Sequence, residues 1–271
     1  MSEVIITEYN DAHAQAICKK SSVLAFDLDG TLASSRQPMS DSMAQVFAVI
    51  TQFVQVAIIT GGRLALVHSQ ILDKIIPLQA NVAHLHLMPT SGSSYYVWGD
   101  GDWTSVYEYN IPKHEREQVI ASINKHAHDL HLDEDKSWGV RIEDRGSQIT
   151  FSALGQDAPL SVKETWDVDG GKRIPLVERL RKEFPSLEIH VGGLTSVDIS
   201  LRGIDKQFAI QQLAKHIGCE TSQITFLGDR MKIGGNDYPA AVAGARVIHV
   251  NNPDNTLELC KKILEYYKSQ D

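Results

Sequence analysis

Two aspartates one residue apart, Asp27 and Asp29, close an apolar run in the stretch VLAFDLDGT, residues 23–31. Val23, Leu24, Ala25 and Phe26 have the character of a short buried strand, and Gly30 marks a sharp exit from it. Residues i and i+2 of a strand share a face, so the pattern predicts both carboxylates turned toward one point where the strand ends. Two carboxylates that close repel each other unless a proton or a cation lies between them. Such a pair suits a divalent metal, with one carboxylate placed to attack and the other to carry a proton. A strand with a plain Asp-Gly turn carries the same letters, so the pair takes its meaning from the rest of the chain.

The elements that must position the pair read as an alternation of strand and helix. Strands are expected at 23–26, 53–59, 81–87, 224–227 and 246–250. Helices are expected at 42–51, where Met43, Val46, Phe47 and Ile50 recur at helical spacing behind Ser40 or Asp41, and at 64–75, 206–217 and 257–267. This rhythm predicts an α/β fold with a parallel sheet and right-handed crossovers. Between its two halves the pattern changes. A hairpin is expected at 95–109, turning through Gly99–Asp102. A long helix follows at 112–130, then strands at 138–143 and 147–153, a helix at 172–184, and strands at 187–190 and 196–201. That is an α+β domain inserted into the first. The expected division is a core of 1–92 and 203–271, with 1–21 as an N-terminal extension, and an insertion of 93–202. Within the extension, 12–20 reads as a short helix with Ala16 and Ile17 on its apolar side.

In an open α/β sheet, ligands bind outside the carboxyl ends of the strands. Four sites from distant parts of the chain fall at such ends or at a helix start. They are Asp27/Asp29, Thr60, Lys206, and Asp229 with Asn236-Asp237. Taken singly, each has a plainer reading: Thr60 as a helix cap, Lys206 as a solvated lysine, Asp229 as a turn residue. Their joint order suits phosphoryl transfer, which is mostly positioning and neutralisation of spread negative charge.

Composition narrows the partners. The chain has 271 residues, 42% hydrophobic and 22% charged, with net charge −8, a balance that suits a soluble domain pair and argues against nucleic acid as partner. Cys18, Cys219 and Cys260 form no CxxC spacing and fit a reducing compartment. The opening MSEVIITEYNDAH lacks the apolar core of a secretory signal, and no apolar run approaches the ~20 residues needed to span a membrane. The expectation is a cytoplasmic protein with no membrane partner; a homodimer is left open as its assembly.

The pieces DLDGT at 27–31, IITGG at 58–62, Lys206 opening a helix, and GDRMKIGGND at 228–237 together resemble the haloacid dehalogenase superfamily of phosphotransferases. The two-domain pattern is similar to its type IIB cap members, and within those to the eukaryotic-type phosphomannomutases, whose last motif also stretches as GD…GGND. RKEFPSLEIHVGGLTSVDISLRGIDK at 181–206 is similar to the same family. The resemblance implies a Rossmann-like core with an inserted cap. It implies Asp27 as a nucleophile that forms an aspartyl phosphate, and Asp29 as the acid and base. It implies Mg²⁺ among Asp27, the backbone carbonyl of Asp29, and Asp229, with Asp237 supporting the metal or Lys206. Thr60, with Gly61 beside it, and Lys206 would hold the phosphoryl group, and Thr31 would assist near Asp29.

The cap would choose the substrate, a sugar phosphate or similar small phosphorylated metabolite. Arg145, Ser196 and Asp198 match family positions that contact the sugar phosphate. Two positions depart from the pattern: Gln156 and Lys163 stand where arginines are expected. Neither offers the charged fork of a guanidinium. A mutase must hold a bisphosphorylated sugar at both ends, so these departures favour a phosphatase, with a phosphomannomutase as the alternative. Arg141 stands near enough in sequence to replace a lost arginine. Elsewhere, His126, His128 and His131 read as surface histidines. His84 and His86 share a strand face, the Trp98, Trp103, Tyr95 and Tyr107 rings read as hairpin packing, and Asp133–Asp135 as a solvated loop.

Overall fold

The computed structural model of the chain describes residues 4–270. Its strands are β1 (Ile6–Glu8), β2 (Val23–Phe26), β3 (Gln55–Ile59), β4 (Leu85–Met88), β5 (Ser94–Gly99), β6 (Asp102–Glu108), β7 (Ile142–Asp144), β8 (Gln148–Ser152), β9 (Leu187–Val191), β10 (Ser196–Leu201), β11 (Ile224–Gly228) and β12 (Arg246–His249). The chain forms two compact units, one running to Glu108 and resuming at Ile204, the other spanning Tyr109–Gly203.

The first unit is built on an eight-stranded sheet in the order β1-β12-β11-β2-β3-β4-β5-β6. The strands from β1 to β4 pair in parallel. Both faces are covered, which is why β2 reads as an unbroken apolar run. Leu24 and Phe26 enter the core on one face with Val56, Ile58, Leu85 and Leu87. Val23 and Ala25 enter the other with Ala57, Ile59 and Phe226. Phe47, from the helix Asp41–Ile50, packs edge-on against Phe26 at 5.4 Å. Ser40 caps that helix, accepting from the amide of Met43 at 3.2 Å.

The hairpin expected in the insertion belongs to this sheet instead. β5 pairs antiparallel with β4 and β6 with β5. The edge of β4 would otherwise present unpaired backbone groups. Tyr95 is fully buried in the core beneath, and Trp98 packs edge-on against its cross-strand partner Trp103 at 5.4 Å. The boundary of the insertion therefore lies near Tyr109 rather than 93.

The stretch expected as an extension is also part of the sheet. β1 lies parallel to β12 at its edge. The helix Ala14–Lys20 buries Ile17, while Ala16 is exposed. Helix 64–75 contains a π turn, His68–Leu72, which brings Gln70 into the interior. Such turns widen one step of the ladder and shift the inward face.

The second unit is a four-stranded antiparallel sheet in the order β7-β8-β10-β9. The helices Lys113–Asp129 and Ile174–Glu183 send Val119, Ile123, Leu176, Val177 and Leu180 into one core with Ile149, Phe151, Ile189, Val197 and Ile199. Alternation turns the intervening residues to the opposite face. Thr150 stands opposite both Glu143 and Asp198, and Ser152 opposite Ser196. The strand expected at 138–143 is short, Ile142–Asp144, because Trp138 and Val140 bond into the turn that follows β8.

Candidate active site

The ends of β11, β2 and β3 are neighbours because those strands are adjacent and parallel. The ladder continues one residue past β2, where the Asp27 amide donates to the carbonyl of Leu227 at 2.9 Å. The Thr60 amide likewise donates to the carbonyl of Met88 at 3.1 Å. Lys206 opens the helix Lys206–Ile217, whose N-cap Asp205 accepts from the amides of Gln207 and Phe208. This cap fixes the first turn and directs the lysine inward.

Lys206 Nζ donates to Asp27 Oδ1 at 2.5 Å and to Asp237 Oδ1 at 2.5 Å. The three residues are 1%, 4% and 0% exposed, so their charges have little water to answer them. Burial alone would lower the lysine, and the fields of Asp237 and Asp27 outweigh it and raise it. The lysine therefore stays charged. Burial pushes the Asp27 carboxyl up to about 7 against the pull of Lys206. Burial, and then the charge of Asp237, raise Asp229.

Asp237 is committed to structure on both oxygens. Its Oδ2 accepts from the amide of Arg230 at 2.9 Å, which closes the 228–237 loop onto itself. The loop needs close approach: a Cβ on Gly228 would meet the Asp237 carboxylate at 2.6 Å, and one on Gly235 would meet the Arg230 carbonyl at 2.1 Å. Gly30 has φ +83°, and a Cβ there would lie 2.6 Å from Asp229 Oδ2. The glycine of DLDGT thus makes the turn and leaves room for the third carboxylate.

Carboxylate oxygens of Asp27, Asp229 and Asp237 lie within 4.8 Å of one another. Three carboxylates against one ammonium leave an excess of negative charge in a buried site. A donor set of hard oxygens with that excess fits a divalent cation. Among the described residues the Asp29 carboxylate does not join this cluster. Its Oδ1 accepts from the amide of Arg36 at 2.7 Å and from Gln70 Nε2 at 3.2 Å. The two aspartates of the motif are thus held by different partners.

Gln70, which holds Asp29, is a residue that the sequence did not single out. It is 2% exposed, and its amide also donates to the Gln37 carbonyl at 2.8 Å. The regular helical spacing of 64–75 gave no signal for it, because the π turn shifts the inward face. Thr60 Oγ1 accepts from the amide of Gly62 at 3.0 Å, so Thr60 caps its own turn while standing at the strand end. Gly61 lies in that turn. The Thr31 hydroxyl is buried with no hydrogen-bond partner among the described residues.

In the second unit, Arg145 does not lie in solvent: it donates through Nε and Nη2 to Glu143 Oε2 at 3.1 and 2.7 Å. Asp198 Oδ1 accepts from Thr150 Oγ1 at 2.8 Å, and Ser196 Oγ accepts from the amide of Gly193 at 2.8 Å. Asp198 and Ser196 stand on the polar sheet face with Glu143. Arg141 is engaged elsewhere, donating to the carbonyls of Ala153 at 2.8 Å and Asp135 at 2.5 Å. Lys163 Nζ donates to the backbone carbonyl of Gln156 at 3.0 Å. His126 is buried rather than superficial, because Nε2 meets Glu183 Oε1 at 2.6 Å between the two helices. His128 and His131 are exposed and meet Asp133 and Glu134. His86 is buried between Tyr95 Oη and Gln55 Oε1 at 2.7 and 2.9 Å. No helix of the described residues is long and apolar enough to cross a membrane.

Known proteins match this arrangement in sequence and in fold. The chain is 24% identical to a phosphomannomutase of Saccharomyces cerevisiae, over 90% of this chain and 95% of that protein. It is 27% identical to a phosphomannomutase of Triticum aestivum, over 90% and 96%. Solved structures with the same fold include Plasmodium falciparum IMP-nucleotidase (TM-score 0.69, 16% identity, 94% of this chain and 74% of that one). A haloacid dehalogenase-like hydrolase from Bacteroides thetaiotaomicron also matches (TM-score 0.59, 16% identity, 90% and 100%). The sequence model of eukaryotic phosphomannomutases matches residues 43–266. The chain shares the fold of that haloacid dehalogenase-like hydrolase, and it belongs to the eukaryotic phosphomannomutase family.

Proposed function

We propose that this chain is a Mg²⁺-dependent phosphatase of a small phosphorylated metabolite, a sugar phosphate, acting through an aspartyl phosphate on Asp27. The observation that supports phosphoryl transfer is the buried contact of Lys206 Nζ with Asp27 Oδ1 at 2.5 Å. A fixed ammonium there orients the carboxylate and neutralises the incoming phosphoryl group. An Asp27 oxygen attacks phosphorus and the bond from phosphorus to the ester oxygen breaks. Asp29, protonated, gives its proton to that leaving oxygen. In the second half Asp29, now ionised, takes a proton from water as the water oxygen attacks phosphorus. The bond to Asp27 breaks and inorganic phosphate leaves.

Thr60 donates its hydroxyl and Gly61 its backbone to phosphate oxygens. Asp27, Asp229 and the backbone carbonyl of Asp29, with Asp237 in support, would hold Mg²⁺, which would supply the charge that lets a carboxylate approach a phosphate dianion. A cytoplasmic setting belongs to the same reading, in keeping with three free cysteines. Arg145, Ser196 and Asp198 are the proposed contacts to the sugar phosphate.

Gln156 and Lys163 support hydrolysis over isomerisation. A mutase returns the phosphoryl group to a hexose that is phosphorylated at its other end, which calls for a strong distal anion site. Here Lys163 is turned onto the Gln156 carbonyl. The family match supports the second reading, a phosphomannomutase that interconverts mannose 1- and 6-phosphates. Incubation with mannose 1-phosphate, Mg²⁺ and a hexose bisphosphate separates the two. Inorganic phosphate is expected to appear faster than mannose 6-phosphate; the reverse order establishes the mutase. No turnover of any phosphomonoester in a broad panel would leave only a binding module.

A further inference from the structure

Arg173 is 3% exposed and lies at the N-terminal end of the helix Ile174–Glu183. A cation there works against the helix dipole, and a buried ion pair gains little over apolar packing. Stability alone is a poor reason for it. Its contacts suggest another. Nε donates to Asp167 Oδ2 at 2.6 Å, and Nη1 donates to the carbonyls of Gly193 at 2.6 Å and Ser196 at 2.9 Å. Asp167 in turn accepts from the amide of Lys172 through Oδ1 at 3.0 Å, so the 167–173 turn is wrapped around the guanidinium.

The turn that Arg173 reaches is the one between β9 and β10. The Gly192 amide donates to the Ser196 carbonyl at 2.9 Å, the same carbonyl that Arg173 holds. The Gly193 amide donates to the Ser196 hydroxyl. A Cβ on Gly192 would lie 2.3 Å from Asp198 Oδ2 and 2.4 Å from Ser196 Oγ. The backbone at Gly192 therefore lies close against the two side chains proposed to contact the sugar phosphate, with no room for a side chain between. A small movement of this turn moves both.

We propose that Arg173, charge-paired with Asp167, is a positioning residue for substrate recognition: it fixes the 192–196 turn so that Ser196 and Asp198 keep one geometry on the polar sheet face. The inference rests on the sugar-phosphate reading above. Arginine suits the task because one planar fork spans an acid and two carbonyls, whereas a lysine reaches only a single point.

The test compares R173K, D167N and S196A with the unaltered enzyme. Steady-state kinetics are measured on a hexose monophosphate and on p-nitrophenyl phosphate, with amide hydrogen exchange at 192–196. In R173K the ratio of kcat/KM for the hexose phosphate over p-nitrophenyl phosphate should fall about tenfold, chiefly through KM, as expected for loss of charged hydrogen bonds. The amides of Gly192 and Gly193 should exchange faster, and D167N should move the same way. If S196A raises KM while R173K and D167N do not, the positioning role is wrong. If none of the three changes KM, the sugar-phosphate reading itself fails. An equal loss on both substrates with a lowered melting temperature would make Arg173 structural only; should R173K not fold, D167N carries the same comparison.

Discussion

Lys206 Nζ lies 2.5 Å from Asp27 Oδ1, and the two residues stand 179 positions apart in the chain. This contact joins the start of a late helix to the end of the first central strand. It also creates an energetic dependence, because the lysine is the cation that answers Asp27 and Asp237 inside the protein.

Removing that cation should therefore cost both activity and stability. Lys206→Met leaves two buried carboxylates without their partner, and breaking a buried pair this way costs roughly 3–5 kcal/mol. Thermal unfolding should show the loss, and kcat should fall by about a hundredfold or more. Asp27→Asn should abolish phosphoenzyme formation with a far smaller loss of stability, because it removes one of the two competing carboxylates. A labelled phosphoenzyme in Asp27→Asn would exclude Asp27 as nucleophile.

Asp29 is held by Arg36 and Gln70 rather than by the cluster around Lys206. That separation predicts a split phenotype. Asp29→Asn should still accept phosphate from p-nitrophenyl phosphate, whose leaving group needs no proton, and should then stall. Labelled phosphate should accumulate on the protein. Gln70→Leu should weaken turnover in the same direction by about tenfold, through loss of a hydrogen bond to a charged group. Rapid turnover by Asp29→Asn would remove it from the acid/base role.

Gly30 sits at φ +83° with Asp229 where a side chain would go. Gly30→Ala adds strain of about 1–3 kcal/mol and displaces a carboxylate of the proposed metal site. Titration calorimetry should find Mg²⁺ binding weakened by about tenfold or more. Unchanged binding would mean that Asp229 is not a ligand.

Gln156→Arg restores the guanidinium expected at that position. If the distal anion site limits isomerisation, the ratio of mannose 6-phosphate to inorganic phosphate formed from mannose 1-phosphate should rise. A ratio that does not move would argue that Gln156 is not what separates the two reactions.

His86 gives a pH test away from the site. Burial, then His216 and His84, push its imidazole down to about 4 from an ordinary value near 6.5. One neutral tautomer can serve both partners, accepting from Tyr95 and donating to Gln55. Below pH 6.5 the unfolded chain binds a proton that the folded chain refuses. Stability should therefore fall as pH drops from about 6.5 to about 4, by roughly 3 kcal/mol in all. His86→Gln should flatten that part of the curve in urea titrations at several pH values.

The parallel core was legible because strands buried on both faces are written as continuous apolar runs. The four-part order of Asp27/Asp29, Thr60, Lys206 and Asp229/Asp237 was legible because strand ends and helix starts of one parallel sheet must share one edge. Local pattern could say that 94–108 is a hairpin, but not which sheet it joins. That choice depends on the open edge of β4 and the buried ring of Tyr95, both settled by long-range pairing. The strand at Ile6–Glu8 was missed for the same reason, since its partner lies at Val247–His249.

The site divides along the same line. The sequence by itself determined which side chains are available for the proposed chemistry, because acid, amine and hydroxyl are properties of residue type. Only the tertiary structure decided their partners. It assigned Lys206 to Asp27 and Asp237, gave Asp29 to Gln70 through a π turn, and brought His126 to Glu183 across two helices. Those pairings turn on distances of a few ångströms between residues far apart in the chain, and no local periodicity encodes them.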